Sequence, residues 1–378
     1  MIELNEASLN KILENVDISK YPKTRNFLNG NVTYLSPFIT HGLITIPEIF
    51  DFFPSLSIKH KLAYEFAWRE FYQHIWENLE DKIFDNIRQP ISKVKYQKNL
   101  PEDIKESRTG ITVIDLSVKK LYENGYLHNH SRMWLASYIV HLRKVHWITG
   151  ATWMYGHLID GDLASNSLSW QWIASTFSKK PYLFNSENIK KYAPKSWNVK
   201  NDLLNLSYER LNFIANNQIT IENKEKINTN ILEPKLFSSP QTYTNNKKIP
   251  NKTKLMLVHP WMLKKKESFD GYKLGIIHLP FHEKFKWSKN RWHVVISRMK
   301  ELTDDIFIGN IFDLKKIISR HIQIYTNETL NSGYKEFIKE FCSDAEPIAH
   351  KFTKPDKICK SFSEFWKICN KNINNIYD

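Results

Sequence analysis

The chain has 378 residues, 42% hydrophobic and 25% charged, which fits a soluble globular protein with room for two domains and a sizeable core. Three cysteines, Cys342, Cys359 and Cys369, stand near the C-terminus without metal-ligand spacing. They exclude a disulfide framework and a zinc or iron–sulfur site, and point to an intracellular, cytoplasmic chain. A formal charge of +14 favours a polyanionic partner such as nucleic acid, although an AT-rich genome that favours Lys and Asn leaves the same excess. The 12 Trp, 17 Tyr and 22 Phe exceed what a core alone explains and suggest a site that stacks flat rings.

In chain order, the N-terminus carries acids early and has no apolar run, so no targeting signal is read, and no later run reaches the length of a membrane span. From about Ile49 to Asn216 apolar residues recur at three- and four-residue spacing, which predicts helices. In "KHKLAYEFAWREFYQHIWENL" the residues Glu65, Trp68, Tyr72 and Trp76 share one helical face. A second helix is predicted over "NHSRMWLASYIVHLRKVHW", where Asn129, Arg132 and Met133 share a face that Ala136 and Val140 continue. Polar residues on an inward face are costly unless they are paired or hold a ligand.

Residues 219–252 shift to Asn, Lys, Thr, Ser and Pro and read as a polar linker. Beyond them "KLMLVH", "LGIIHL", "DIFIGN" and "IQIYT" are β-branched runs, with helical patterns near Asn290–Thr303, Phe312–Arg320 and Tyr334–Phe341. This alternation predicts a small α/β layer with parallel strands. His259, His278, His282 and His293 lack ligand spacing and read as ordinary, partly buried imidazoles.

Five blocks, "LSPFITHG", "EFAWREFYQHIW", "RTGITVID", "GYLHNHSRMWLASY" and "LIDGDLASNSLSWQWIAS", occur in an order and spacing that resemble the photolyase/cryptochrome flavoproteins. The resemblance implies an α+β multidomain fold. Residues 1–218 would form an all-helical domain that holds FAD bent into a U, and 253–378 a small α/β domain of unknown role. It also implies that the antenna domain preceding the helical domain in relatives is absent, and leaves any antenna chromophore undefined.

By the same resemblance, Tyr21, Thr33, Leu35, Ser36, Arg69, Asn129, Arg132, Asp160, Asp162 and Asn166 would bind the cofactor. Asn166 would contact flavin N5, Asp160 would pair with Arg132, and Asp162 would lie against the ring or ribityl edge. A buried structural salt bridge is the other reading of the Asp160–Arg132 pair. Trp170 and Trp147 match the inner members of an electron relay that Tyr96 would end; filling core is the other reading of both indoles. Glu65, Trp68, Asn129, Met133 and Trp172 match a pocket for a flipped-out cyclobutane pyrimidine dimer, and relatives that repair the other ultraviolet photoproduct carry histidines in place of Asn129 and Met133.

The activity implied is light-dependent DNA repair by a deoxyribodipyrimidine photolyase, a carbon–carbon lyase using reduced FAD, as a monomer acting on DNA. The alternative is a cryptochrome-like blue-light photoreceptor without repair. Two segments depart from the family pattern. "GNVTYLSP" has Val32 and Tyr34 where a hydroxyl and a guanidinium are common, so either the diphosphate grip would be looser or another cation, such as Arg25 or Arg69, would substitute. The stretch after "WQWIAS" lacks a family arginine. Arg69, Arg143, Lys144, Lys179, Lys180 and Lys190 are the candidate contacts to the DNA backbone.

Overall fold

In this computed structural model residues 2–223, 228–241, 254–318, 323–342 and 344–374 are described; residues 224–227 and 242–253 of the predicted linker lie outside them. Packing divides the chain into two compact units that interleave in sequence. One comprises Val16–Val32 and Lys59–Pro234, the other Met1–Asn15, Thr33–Ile58 and Lys235–Asp378. The first is helical and the second contains a parallel sheet, an α+β multidomain architecture as the sequence implies.

In the helical unit the main helices are Lys61–Leu79, Thr112–Asn124, Asn129–Ser137, Trp147–His157 and Leu163–Ile173. Three of them start on a histidine. The Nδ1 atoms of His60, His128 and His146 accept the backbone N–H of Leu62, His130 and Ile148 at 3.1, 3.1 and 3.3 Å. Each replaces the side-chain oxygen of an ordinary cap and requires that nitrogen to be unprotonated. Helix Thr112–Asn124 ends on Gly125 in the left-handed region, φ 61°, where a side chain would also strike Ile159.

The helix predicted through residues 129–147 is broken. It is α-helical to Ser137, widens into a π turn over Tyr138–Leu142, and restarts at Trp147. Lys144, at φ 53°, is 2% exposed and its ammonium donates to the carbonyls of Ile214 and Ala215 at 2.7 and 3.2 Å, capping the C-terminal end of helix Tyr208–Ala215. The wide turn lets the chain leave the helix so that Lys144 can reach those carbonyls. Trp147 therefore opens a new helix.

In the other unit the strands are β1 (Leu236–Phe237), β2 (Lys254–Val258), β3 (Tyr272–His278), β4 (Trp287–Ser288), β5 (Asp305–Gly309), β6 (Gln323–Asn327) and β7 (Asp344–Glu346). Five run parallel in the order β5-β3-β2-β6-β7, and β1 pairs antiparallel with β4. Residues Leu255–Val258 of β2 are all buried, which is why that strand reads as a continuous apolar run. The strand order reverses between β2 and β6, where open α/β sheets commonly bind ligands at the carboxyl ends. Here His259 bridges the two ends, its Nε2 lying 2.8 Å from the Asn327 carbonyl, and no glycine-rich turn follows β2.

His259, His278 and His282 are buried at 0%, 5% and 0% exposure rather than partly buried, and only His293 is exposed. They belong to an aromatic core with Trp261, Tyr334 and Trp287. Helix Lys289–Leu302 falls within a residue of its prediction, and Tyr334–Phe341 matches. The helix predicted over 312–320 is instead a 3₁₀ turn, Ile311–Leu314, and a single turn, Lys315–Ile318; residues 319–322 lie outside the described chain.

Candidate functional site

Helix Leu163–Ile173 carries the densest set of predicted residues, and helices Lys61–Leu79 and Asn129–Ser137 pack against it. Just before it, Asp160 accepts from one Arg132 nitrogen with both carboxylate oxygens, at 3.0 and 2.7 Å. Arg132 also donates through Nε to the Leu127 carbonyl at 2.9 Å and lies over the Tyr126 ring. The Asp160 side chain is 2% exposed but that of Arg132 is 25% exposed, so the carboxylate is sealed and the arginine is the more accessible partner. Burying such a pair is costly, and an accessible cation can hold an anionic or carbonyl-bearing ligand.

Asp162 caps the helix. One carboxylate oxygen accepts the Ser165 N–H at 2.7 Å, while the other accepts from Gln73 at 2.8 Å and lies 3.7 Å from Arg69. Asn166, one turn on, commits its amide nitrogen to the Ala151 carbonyl at 2.8 Å. That leaves this amide its carbonyl oxygen, an acceptor, and a second N–H for a ligand. That donor set fits a reduced isoalloxazine, whose N5–H is a donor and whose charged edge wants a cation nearby.

Glu65 projects from helix Lys61–Leu79 into a cationic grip, 3.1 Å from Arg25 and 3.3 Å from Lys61. Burial, and then the charge of Glu65, push the Tyr21 phenol up; burial pushes up that of Tyr72, which bonds Ser169. Asn129 is exposed at the start of its helix, with its amide 3.5 Å from the Met133 sulfur one turn later. The two predicted indole walls are half-buried, Trp68 against Phe71 and Tyr72, and Trp172 against Tyr182.

Trp170 is 2% exposed and lies against Gly150, where an added methyl would sit 2.4 Å from its ring. Gly150 is one turn along the helix that Trp147 begins. Trp147, also 2% exposed, donates its indole N–H to Asn86 at 2.6 Å. Tyr96 is held next to it because Gln97 pairs with Val145, its N–H bonding the Lys144 carbonyl and its carbonyl accepting the His146 N–H. Tyr96 meets the His146 ring edge-on, and Tyr96, His146, Trp147 and Asn86 line a small recess that is partly open to solvent. Burial raises the Tyr96 phenol to about 12.

Several predicted contacts resolve differently. Arg143 and Lys144, candidates for binding a DNA backbone, are 6% and 2% exposed. Arg143 forks onto Asp103 at 2.6 and 3.0 Å and donates to the Tyr138 hydroxyl, so both cations are internal staples. Lys179 and Lys180 are exposed, as is Lys190. Thr33, Leu35 and Ser36 pack within the α/β unit; Leu35 is 0% exposed, which makes its side chain core, and Thr33 accepts the Leu35 N–H at 3.4 Å.

Sequence reasoning missed Gln73, Asn86 and Gly150. Gln73 had a signal, since it lies four residues after Arg69 on the face that starts at Glu65. Asn86, in an irregular segment, had none.

Residues 62–204 match the family described as the FAD binding domain of DNA photolyase. Among curated proteins, the deoxyribodipyrimidine photo-lyase of Buchnera aphidicola subsp. Baizongia pistaciae is 30% identical over 201 residues, 45% of this chain and 41% of that protein. That of Synechococcus is 29% identical over 223 residues, 54% of this chain and 45% of that protein. The chain thus spans less than half the length of these relatives. Among solved structures, an archaeal photolyase from Sulfolobus tokodaii aligns with TM-score 0.45 and 26% identity over 57% of this chain and 52% of that one. A Synechocystis cryptochrome aligns with TM-score 0.48 and 19% identity over 58% and 53%. No helix among the described residues is long and apolar enough to cross a membrane. Four of the five sequence blocks lie in the helical unit, whose residues 62–204 match the photolyase/cryptochrome family of FAD-binding proteins.

Proposed function

We propose that this chain is a light-dependent DNA repair flavoprotein that splits cyclobutane pyrimidine dimers. The observation that carries the reading is the Arg132–Asp160 pair, sealed at the carboxylate and more accessible at the arginine, with Asn166 held by the Ala151 carbonyl on the adjoining helix.

Reduced FAD, when bound and excited by blue light, supplies the electron that opens the dimer ring and takes it back afterwards. The residues of the chain bind and orient. Arg132 balances negative charge at the cofactor's edge, and Asn166 accepts a hydrogen bond there. Asp162 spends its oxygens on the Ser165 cap, Gln73 and Arg69, so it fixes the helix and the Arg69 guanidinium rather than holding ligand. Arg69, Arg25 and Lys61 supply cations for the diphosphate, the lesion's phosphate or both.

Trp68 and Trp172 offer stacking surface to an extruded dimer, while Asn129 and Met133 pair a polar and an apolar contact one turn apart. Glu65 holds the carbonyl edge of the dimer and must exchange part of its Arg25 and Lys61 contacts to do so. That exchange also favours a second reading: a Glu65 kept by its two cations would leave a blue-light receptor without repair.

The test is to reduce the FAD-loaded protein anaerobically, add an oligonucleotide with one thymine dimer, illuminate, and follow the return of thymine absorbance. Light-dependent recovery supports repair. No recovery with FAD bound and reduced removes repair and leaves the receptor reading.

A further inference from the structure

The Trp147 indole is bonded to a residue that nothing in the sequence singled out. Asn86 lies in the irregular segment after helix Lys61–Leu79, and its amide oxygen accepts the Trp147 N–H at 2.6 Å. Its position is not left to an exposed loop. Gln171, fully buried between Trp170 and Trp172, donates to the Ile83 carbonyl at 2.8 Å and accepts the Ile87 N–H at 3.0 Å. One residue on, the Arg88 N–H bonds the Thr176 carbonyl at 2.7 Å, and Thr176 in turn bonds Gln171. The segment 83–88 is therefore strapped to the helix that carries Trp170, with Asn86 at the point where it meets Trp147.

We infer that Asn86 is a positioning residue that keeps the Trp147 proton in place when that indole is oxidised. The inference rests on the proposed relay. In the step at issue one electron passes from Trp147 to an oxidised Trp170, which has itself been oxidised by photoexcited, oxidised FAD. Trp147 becomes a radical cation; no bond to hydrogen breaks.

An indole radical cation is far more acidic than indole itself, so whether it keeps its proton depends on the acceptor at N–H. A carboxylate or imidazole there would take the proton and trap the hole as a neutral radical. An amide oxygen is a hydrogen-bond acceptor but a very weak base. Asn86 thus binds the N–H without removing its proton, and the hole stays mobile for the next donor, Tyr96, which as it is oxidised gives its phenol proton to solvent in the same recess. Gln171 serves the same end by fixing where Asn86 stands.

Asn86 is exposed apart from this bond, so substitutions there should fold. The experiment is transient absorption of the FAD-loaded, oxidised full-length chain after a blue flash, in H₂O and D₂O, for the parent and for N86D, N86Q and N86L. The parent is expected to show the tryptophan cation band with no solvent isotope effect on its formation. N86D is expected to convert to the neutral-radical band and to lose several-fold in the yield of reduced FAD, and N86Q to behave as the parent. Without cofactor, the resonance Raman marker of indole hydrogen bonding should be weakened in N86L alone.

Identical spectra for the parent and N86D, with FAD bleaching normally in both, would overturn the role of Asn86 and leave the relay standing. An unchanged Raman marker in N86L would do the same. A parent that binds FAD yet never bleaches under light would sink the relay and this inference together.

Discussion

Two arginines eleven residues apart, Arg132 and Arg143, both meet an aspartate, yet the two pairs are built in opposite senses. In the first, the Asp160 side chain is 2% exposed and the arginine 25%; in the second, the arginine is 7% exposed and Asp103 22%. Arg143 is saturated by Asp103, the Tyr138 hydroxyl and Glu222. Arg132 spends one nitrogen on Asp160 and Nε on Leu127. The lesson is that a paired arginine is a staple when the cation is the buried partner, and a candidate ligand site when the carboxylate is. Salt-bridge geometry alone does not separate them; the direction of burial does.

The comparison can be broken by removing one partner of each pair. Deleting half of a buried ion pair costs about 3–5 kcal/mol. D160N should approach that cost in urea denaturation and also lose FAD, because Arg132 is left without the carboxylate that aims it. R143A should lose a comparable amount of stability while retaining FAD, since Arg143 faces only protein. If R143A released FAD and D160N kept it, the assignment of staple and site would be reversed.

A smaller effect is expected at G150A, where the new methyl would sit 2.4 Å from the Trp170 ring and force it to shift. Overpacking of this kind costs about 1–3 kcal/mol, and the displaced indole should slow photoreduction of oxidised FAD.

Acid should act on the buried histidines. Burial lowers His128, His130 and His141 to about 4, from an ordinary value of 6.5. A folded-state value below the unfolded one means that stability is fully present above 6.5 and is lost as pH falls through the folded value near 4. At His128 the incoming proton also competes for the Nδ1 lone pair that accepts the His130 N–H. Melting temperature should therefore drop between pH 6.5 and 4; a flat profile over that range would remove the buried-histidine account.

The smallest structural effect is expected at Y96F. The Tyr96 hydroxyl has no hydrogen-bond partner among the described residues, so stability should hold. The yield of photoreduced FAD should fall, and its pH dependence should vanish with the phenol proton.

Much of this was legible in the sequence. Helix Lys61–Leu79 shows in the spacing of its apolar face, and β2, β3, β5 and β6 show in their β-branched runs, because burial writes a period into the residues. Asp160 and Asn166 are singled out by motif resemblance alone, whereas Arg132 also stands on the helical face of Asn129 and Met133. The break after Ser137 was not legible. Arg143 and Lys144 look like surface cations, and only their distant partners, Asp103 and the carbonyls of Ile214 and Ala215, make them interior. Strands β1, β4 and β7, of two or three residues, are too short to carry a pattern. Asn86 acquires its place from Gln171, contacts 80-odd residues away that no local reading contains.

The central claim is that Arg132, aimed by a sealed Asp160, holds FAD in the helical unit. The direct measurement is the flavin content of the purified chain after incubation with excess FAD and gel filtration, for the parent, D160N and R143A side by side. The account predicts stoichiometric yellow protein for the parent and R143A and colourless protein for D160N that still shows helical circular dichroism. A parent that elutes without flavin, or a D160N that retains it fully, would contradict it.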